Sequence, residues 1–367
     1  MKNEIAFVQL YPNKHVLDIA SEIESISGLK IKYFFFEGVR QERLGQGWNV
    51  PHNHTIIPSS FRKGFHVHLR KILSYKTCFI FGSVSPFPWM FMIFLTCIHL
   101  KNRVFFISEG LRKRPSFAKR IISRVLMNRK TVTYLAVGSR AAEDYRDLGM
   151  SKWKIRRFAF AEKYNRFRGG NRDYEDEQPF IVLAVGQLIP RKNFSQVILA
   201  LASYKDGRSV ILRILGSGVE HDLLASLAEE VLPESVKLEL LGHCGPEQLE
   251  REFASADVFV SSSLYDGWGV VVNQALAYGL PIIASRGTRS ASGNLVEHNK
   301  NGFIYETTNS LSEFLMLIIN DFDLRRSMSK DSFKRAECWS VSQIASRTVS
   351  VMRDEKINFE TGLLKVL

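Results

Sequence analysis

Cysteine is scarce in this chain of 367 residues, with only Cys78, Cys97, Cys244 and Cys338. They form no Cys-x-x-Cys pair and have no histidines at zinc spacing, which argues against a zinc module and for thiols of a reducing compartment. Long apolar runs are lacking too. The greasiest, Phe87 to Leu100, contains Pro88 and is too short to span a bilayer, so a buried helix is expected there. Met1-Lys2-Asn3-Glu4 leads straight into the strand-like Ile5 to Val8, without the apolar region and cleavage site of a signal peptide, and a cytoplasmic protein is expected. His52, His54, His66 and His68 cluster in the first half, but carboxylates at ligand spacing are missing, so no metal site is expected. The formal net charge is +13, yet there is no zinc finger, RNP motif or recognisable helix-turn-helix, and nucleic acid is not an expected partner.

Acidic residues are almost absent from one stretch. Lys101 to Lys130 holds ten basic residues against the single acid Glu109. Within it Phe117, Ile121, Ile122, Val125, Leu126 and Met127 recur at roughly helical spacing, which makes a basic amphipathic helix. Two readings stand: a helix lying on an anionic membrane surface, or the solvated face of an ordinary packed helix.

What is present is ample apolar sequence, 45% of the chain, over a length that exceeds the usual single core. Strand-like runs fall at 4–10, 30–36, 77–82, 103–107 and 134–137, then at 180–185, 209–215, 236–241, 258–262 and 282–284, with helical patterns such as Ser195 to Tyr204 and His221 to Val231 between them. Strands alternating with helices predict doubly wound parallel sheets. The polar, glycine-bearing segment 168–179 reads as a linker. The expected organisation is an N-terminal Rossmann-like domain (1–167), the linker (168–179), a C-terminal Rossmann-like domain (180–340), and a last helix and tail (341–367) packing back on the first. Ligands of open parallel sheets sit at the carboxyl ends of the strands, so the site is expected in a cleft between facing domains.

The richest stretch is 261–285. An apolar strand runs into a turn holding Asp266, and Gly267 and Gly269 are expected to open a helix that places Gln274 near its third turn. Such a helix mouth suits a phosphate. After the first strand of the second half comes Gly186-Gln187-Leu188-Ile189-Pro190-Arg191-Lys192-Asn193, where the cationic pair suits a diphosphate and Asn193 is expected to cap the next helix. The plain alternative is a basic turn. Gly216-Ser217-Gly218 invites a dinucleotide reading, but His221 stands where the third glycine belongs, and a tight turn is favoured. At Gly242-His243-Cys244 the histidine suits a base or phosphate, or is a surface turn residue; a Cys-His nucleophile pair is not expected, because adjacent side chains point apart. Glu109 either assists an acceptor hydroxyl or is a salt-bridged surface acid.

Taken together, Val185-Gly186-Gln187-Leu188 with Lys192, Ile214 to Gly218, Leu240-Leu241-Gly242, Ala254 to Val260, Asp266-Gly267-Trp268-Gly269, Ala275-Leu276-Ala277, Gly279-Leu280-Pro281 and Asn301-Gly302-Phe303 resemble the retaining glycosyltransferases of family 4. The resemblance covers Val185 to about Trp339; the first half matches only at Ala136 to Ser139 through Leu148-Gly149. It implies a GT-B fold and transfer of a hexose-type sugar from a UDP or GDP sugar to a hydroxyl of a glycolipid or polysaccharide precursor, of O-antigen, capsule or lipopolysaccharide type. No cofactor is expected, and no metal where the cations and a helix dipole meet the leaving group's charge; the basic 101–130 region leads to an expected location on the inner face of the cytoplasmic membrane. The resemblance places Lys192 on the donor diphosphate with the Gly269 and Val270 amides, Asp266 on the donor sugar, Gln274 on the ribose and His243 near the base. Gly186, Gln187, Arg191, Gly216, Gly218, Gly267 and Trp268 complete the expected donor contacts, and Asp266, Lys192 and Glu109 are the expected catalytic set. Asp266 and Gln274 both stand where the family usually has Glu, and Gln187 where it often has Arg. The alternatives are a glycosyltransferase-like scaffold that has lost catalysis, or a sugar-nucleotide epimerase.

Overall fold

The computed structural model describes residues 3–39, 50–57, 65–82, 88–100, 102–111, 115–161, 178–205 and 207–354. Residues 168–177 of the expected linker, and Lys101, Arg112, Lys113 and Arg114 of the basic stretch, lie outside that set. The chain divides into two units: Met1–Glu162 with Ser340–Leu367, and Lys163–Trp339.

The first unit runs β1 (Glu4–Gln9), α1 (Lys14–Ser27), β2 (Lys30–Phe35), β3 (His54–Ile56), α2 (Phe65–Leu73), β4 (Thr77–Phe81), α3 (Pro88–His99), β5 (Arg103–Ser108), α4 (Phe117–Met127), β6 (Val132–Val137), α5 (Gly138–Asp147) and β7 (Ile155–Phe158). Its sheet is parallel, in the order β3-β2-β1-β4-β5-β6-β7. Strand side chains alternate between faces, and both faces of this sheet are apolar. Ala6, Val8, Ile80, Val104 and Phe106 join one core with residues of α2, α3 and α5. On the other face Phe7 stacks on Phe79 at 5.1 Å and Phe79 on Phe105 at 4.7 Å. Burial on both sides is what makes these strands read as continuous apolar runs. In α3 the described side chains Ile93, Phe94, Cys97 and Ile98 are buried.

The second unit runs β8 (Phe180–Val185), α6 (Ser195–Leu201), β9 (Val210–Leu215), α7 (His221–Val231), β10 (Val236–Gly242), α8 (Pro246–Ser255), β11 (Val258–Ser261), α9 (Val271–Ala277), β12 (Ile282–Ser285), β13 (Gly302–Tyr305), α10 (Thr308–Asn320) and α11 (Phe322–Cys338). The sheet is again parallel, in the order β10-β9-β8-β11-β12-β13. Arg325, 1% exposed, donates to the carbonyls of Ile318 and Ile319 at 2.7 Å each, so a buried charge closes the end of α10. The last helix, α12 (Val341–Met352), belongs to the first unit, where it lies against α1. Arg103 fixes its end by donating to Val351 O at 3.2 Å and Asp354 Oδ1 at 2.7 Å. That use withdraws Arg103 from the basic surface of the 101–130 region.

Strands β3, β7 and β13 were not foreseen. The first and last are short edge strands, and β7 carries Arg156 and Arg157 between Ile155 and Phe158, which hides its apolar positions. Asn193 does not cap a helix. It sits at φ 53°, closing the turn 190–192, and its Oδ1 accepts from Ser195 Oγ at 3.4 Å; α6 has no side-chain cap.

Candidate functional site

In both sheets the strand order reverses after the first strand, and the loops leaving the two central strands diverge there. In the second unit those strands are β8 and β11. The loop after β8 carries Arg191 and Lys192; the loop after β11 carries Asp266. They meet. Lys192 Nζ lies 2.5 Å from Asp266 Oδ2, and Arg191 Nη1 lies 3.3 Å from Asp266 Oδ1, so one carboxylate engages both cations. Lys192 and Asp266 are 13% and 15% exposed at the side chain, enough shielding for the pair to hold its geometry.

Backbone bonds join the two loops. Leu264 N donates to Arg191 O at 2.9 Å, Arg191 Nη1 to Tyr265 O at 2.6 Å, and Ser262 Oγ to Lys192 O at 2.7 Å. Beneath them lies a buried hydroxyl network: Ser261 Oγ and Thr288 Oγ1 are 2.9 Å apart, and Ser285 Oγ donates to Ser263 O at 2.6 Å. Asp266 N donates to Gly287 O at 3.0 Å, which holds the Asp266 loop beside 287–288. These bonds position the charges without spending them.

The glycines of the neighbouring loops allow close approach. A Cβ on Gly216, at φ 145°, would fall 1.8 Å from Gly186 O, and one on Gly186 would fall 3.1 Å from Lys192 Cε. A Cβ on Gly218 would fall 2.3 Å from Leu188 O. Gly186, Gln187, Gly216 and Gly218 therefore form one stack of turns at the carboxyl ends of β8 and β9, with Gln187 exposed. The third member is the end of β10, where Gly242 O accepts from Gly216 N at 2.8 Å and His243 follows, exposed. Burial pushes the Cys244 thiol up from its ordinary pKa, with Glu252 adding to the effect, which lowers the thiolate fraction that nucleophilic attack needs.

Two expectations need correction. Helix α9 begins at Val271, not at Gly269, so Gln274 lies in its first turn rather than its third. The extra residues serve the loop: Asp266 bridges to Thr288, and Gly269 O accepts from Val272 N. Gly267, Gly269 and Val270 thus belong to the loop and the helix entry. Trp268 does not face the loop's open side. Its indole is 2% exposed, donates to Asn273 Oδ1 at 3.0 Å and lies 5.6 Å from the Trp339 ring, because a large apolar ring gains more from the core than from the turn. Glu109 lies in the first unit, as its position after the 103–107 strand implied. It is exposed at the carboxyl end of β5, in a loop that Asp144 Oδ2 holds by accepting from Leu111 N at 2.7 Å.

Two residues escaped the sequence reading. Arg289 places its guanidinium 4.2 Å from the ring centroid of Tyr265, the residue before Asp266, and its Nη1 is buried without a hydrogen-bond partner among the described residues. Nothing in the spacing of 265 and 289 announces that contact. Gln9, fully buried at the end of β1, has no partner among the described residues for either amide atom. A polar residue closing the apolar run Ile5 to Val8 was the available signal.

The two doubly wound units are those of a GT-B protein. Residues 171–335, which fall in the second unit, match the family model of glycosyl transferases group 1. The chain is 28% identical over 211 residues to the uncharacterized glycosyltransferase MJ1607 of Methanocaldococcus jannaschii, covering 56% of this chain and 52% of that protein. It is 32% identical over 106 residues to the lipopolysaccharide core biosynthesis glycosyltransferase LpsE of Rhizobium meliloti, covering 29% of each. The chain thus spans about half the length, or less, of these curated relatives. Among solved structures, Anabaena Alr3699/HepE in complex with UDP superposes with a TM-score of 0.74 at 16% identity, over 96% of this chain and 100% of that one. The apo form of the lipopolysaccharide outer core galactosyltransferase WaaB superposes with a TM-score of 0.69 at 16% identity, over 96% and 99%. No helix among the described residues is long and apolar enough to cross a membrane.

Proposed function

We propose that this protein is a retaining glycosyltransferase of the family 4 type, moving a hexose-type sugar from a UDP or GDP sugar to a hydroxyl of a glycolipid or polysaccharide precursor. The observation that carries the reading is the convergence of Lys192, Arg191 and Asp266 at the switch point of the second sheet. When the bond between the sugar and the diphosphate breaks, negative charge grows on the departing phosphate oxygen. Lys192 and Arg191 are fixed cations for that charge, and fixed donors stabilise a transition state without having to reorganise. Each charge-assisted hydrogen bond is worth roughly 1.5–3 kcal/mol. Two such cations give the leaving group what a metal would otherwise supply, so turnover is expected to survive chelation.

In this reading Asp266 turns a carboxylate oxygen to the donor sugar hydroxyls, Gln274 holds the ribose as an uncharged amide, and His243 adjoins the base. Gly186, Gly216, Gly218, Gly267 and Gly269 let the donor approach the backbone. Glu109 assists the acceptor hydroxyl from its own sheet edge. HepE, solved with UDP, and LpsE, named for lipopolysaccharide core biosynthesis, support a nucleotide-sugar donor and a glycolipid acceptor. The basic 101–130 region suits an acceptor presented on the cytoplasmic face of an anionic membrane.

The test is release of nucleoside diphosphate from a panel of UDP, GDP and ADP sugars, with chelator and a bacterial lipid extract as acceptor. Acceptor-dependent release from one donor is expected, with retained anomeric configuration in the product. Donor binding without release would overturn the enzyme reading in favour of a scaffold, and conversion of the donor alone would favour an epimerase. Gln274→Glu tests the substituted position: a large gain in turnover would mark a damaged site.

A further inference from the structure

Helix α4 is turned inside out. Its large apolar residues point to solvent: Phe117 is 78% exposed, Val125 62%, Ile122 54%, Ile121 51% and Leu126 38%. Among its described side chains, the buried ones are Ser123 and Met127. At about 100° per residue, Phe117, Ile121 and Val125 stack along one line, Ile122 and Leu126 lie beside it, and Ser123 and Met127 fall on the opposite side. The protein thus anchors this helix by its narrower face and leaves the wide apolar face uncovered. Arg120 and Arg124 flank that face, exposed.

The surface continues beyond the helix. Arg124 lies over Gly149, where an added Cβ would stand 3.3 Å from its Cβ. Lys154 Nζ donates to Arg129 O at 2.7 Å, which brings the turn 152–154 to the end of α4. That turn presents Trp153, 66% exposed, with Lys152 Nζ 4.6 Å from its ring centroid. Exposed Arg129 and Lys130 lie between the two.

We infer that α4 and the turn at Trp153 form one membrane-docking surface: the apolar face of α4 enters the acyl boundary of an anionic bilayer, Trp153 sits at headgroup level, and the flanking cations pair with lipid phosphates. Charge decides between occupants. Residues 115–130 contain five basic residues and no acid, so a second copy would oppose like charge with like charge in a two-fold interface. An anionic bilayer complements both the apolar face and its basic border, and tryptophan favours the interface between them. The inference rests on the membrane part of the proposed function and is independent of the transfer reaction.

The experiment is sedimentation of the full chain with vesicles at low salt. Binding is expected to phosphatidylcholine vesicles containing phosphatidylglycerol, weaker with phosphatidylcholine alone, and reduced at high salt. Ile121→Asp with Val125→Asp should weaken binding about tenfold or more. Arg120→Glu with Lys130→Glu should weaken it roughly twentyfold or more. All four positions are exposed, so circular dichroism and melting should be unchanged, and the charge pair keeps the test open should the aspartates unfold α4. Absence of binding, or binding indifferent to Ile121→Asp with Val125→Asp, would overturn the inference. So would a dimer in vesicle-free solution that the same variants dissolve. Nucleoside diphosphate release with a detergent-solubilised acceptor reports separately on the transferase reading.

Discussion

At the scale of single residues, Asp266 is placed to do two things in turn. Its carboxylate neutralises Lys192 and Arg191, and a diphosphate must compete for the same cations. Lys192→Ala is expected to lower turnover about ten- to hundredfold, from the loss of one charge-assisted bond; near-normal steady-state kinetics would refute the assignment. Asp266→Asn leaves a shielded lysine without its counter-ion and should cost roughly 1–3 kcal/mol, a melting decrease of a few degrees. The same variant should bind inorganic pyrophosphate more tightly while losing turnover, because the internal competitor is gone. Calorimetry showing equal or weaker pyrophosphate binding would count against that competition. Cys244 gives a pH test. Its thiol is held up by burial, so less thiolate is present than in a free cysteine at the same pH. Alkylation there, followed by mass spectrometry, should be slower than for a free thiol and should quicken as pH rises through the elevated value.

At the scale of elements, the loops of the second sheet work as a stack. Gly216 touches Gly186 and Gly242 through backbone alone, and the stem of Lys192 runs over Gly186. Gly216→Ala is expected to destabilise by about 2–4 kcal/mol, since a Cβ would overlap a carbonyl oxygen at a positive φ. The check is a melting curve; an unchanged midpoint would mean the turns shift apart freely. The order of these loops was legible in the sequence because each glycine follows an apolar strand. The exact start of α9 was not, because the pull that delays it comes from Gly287 and Thr288, about twenty residues downstream, through tertiary bonds to the Asp266 loop.

At the scale of the whole molecule, the helix α12 returns to the unit that holds β1 and α1. The buried residues Val341, Ile344, Ala345, Val349 and Val351 lie on α12, which lies against α1. Truncation after Trp339 should therefore uncover the apolar face of α1 and lower the stability of the first unit. Hydrogen exchange is expected to rise in α1 and β1, whereas the protection of β8 to β12 should persist. Equal loss of protection in both units would show that they unfold together.

The sequence by itself determined the alternation of strand and helix, the doubly wound class, and the loops on which Lys192, Arg191 and Asp266 stand. Those follow from local periodicity and from glycines at strand ends, which neighbouring residues dictate. Only the tertiary structure decided which way an amphipathic segment faces. The pattern of α4 was legible as a stripe of apolar residues, and a stripe alone fits either a core or a membrane. Packing chose Ser123 and Met127 for the interior and left Phe117, Ile121 and Val125 outside. It also put Trp268 in the core and Arg289 beside Tyr265. Contacts between residues far apart in the chain set these outcomes, and periodicity carries no record of them.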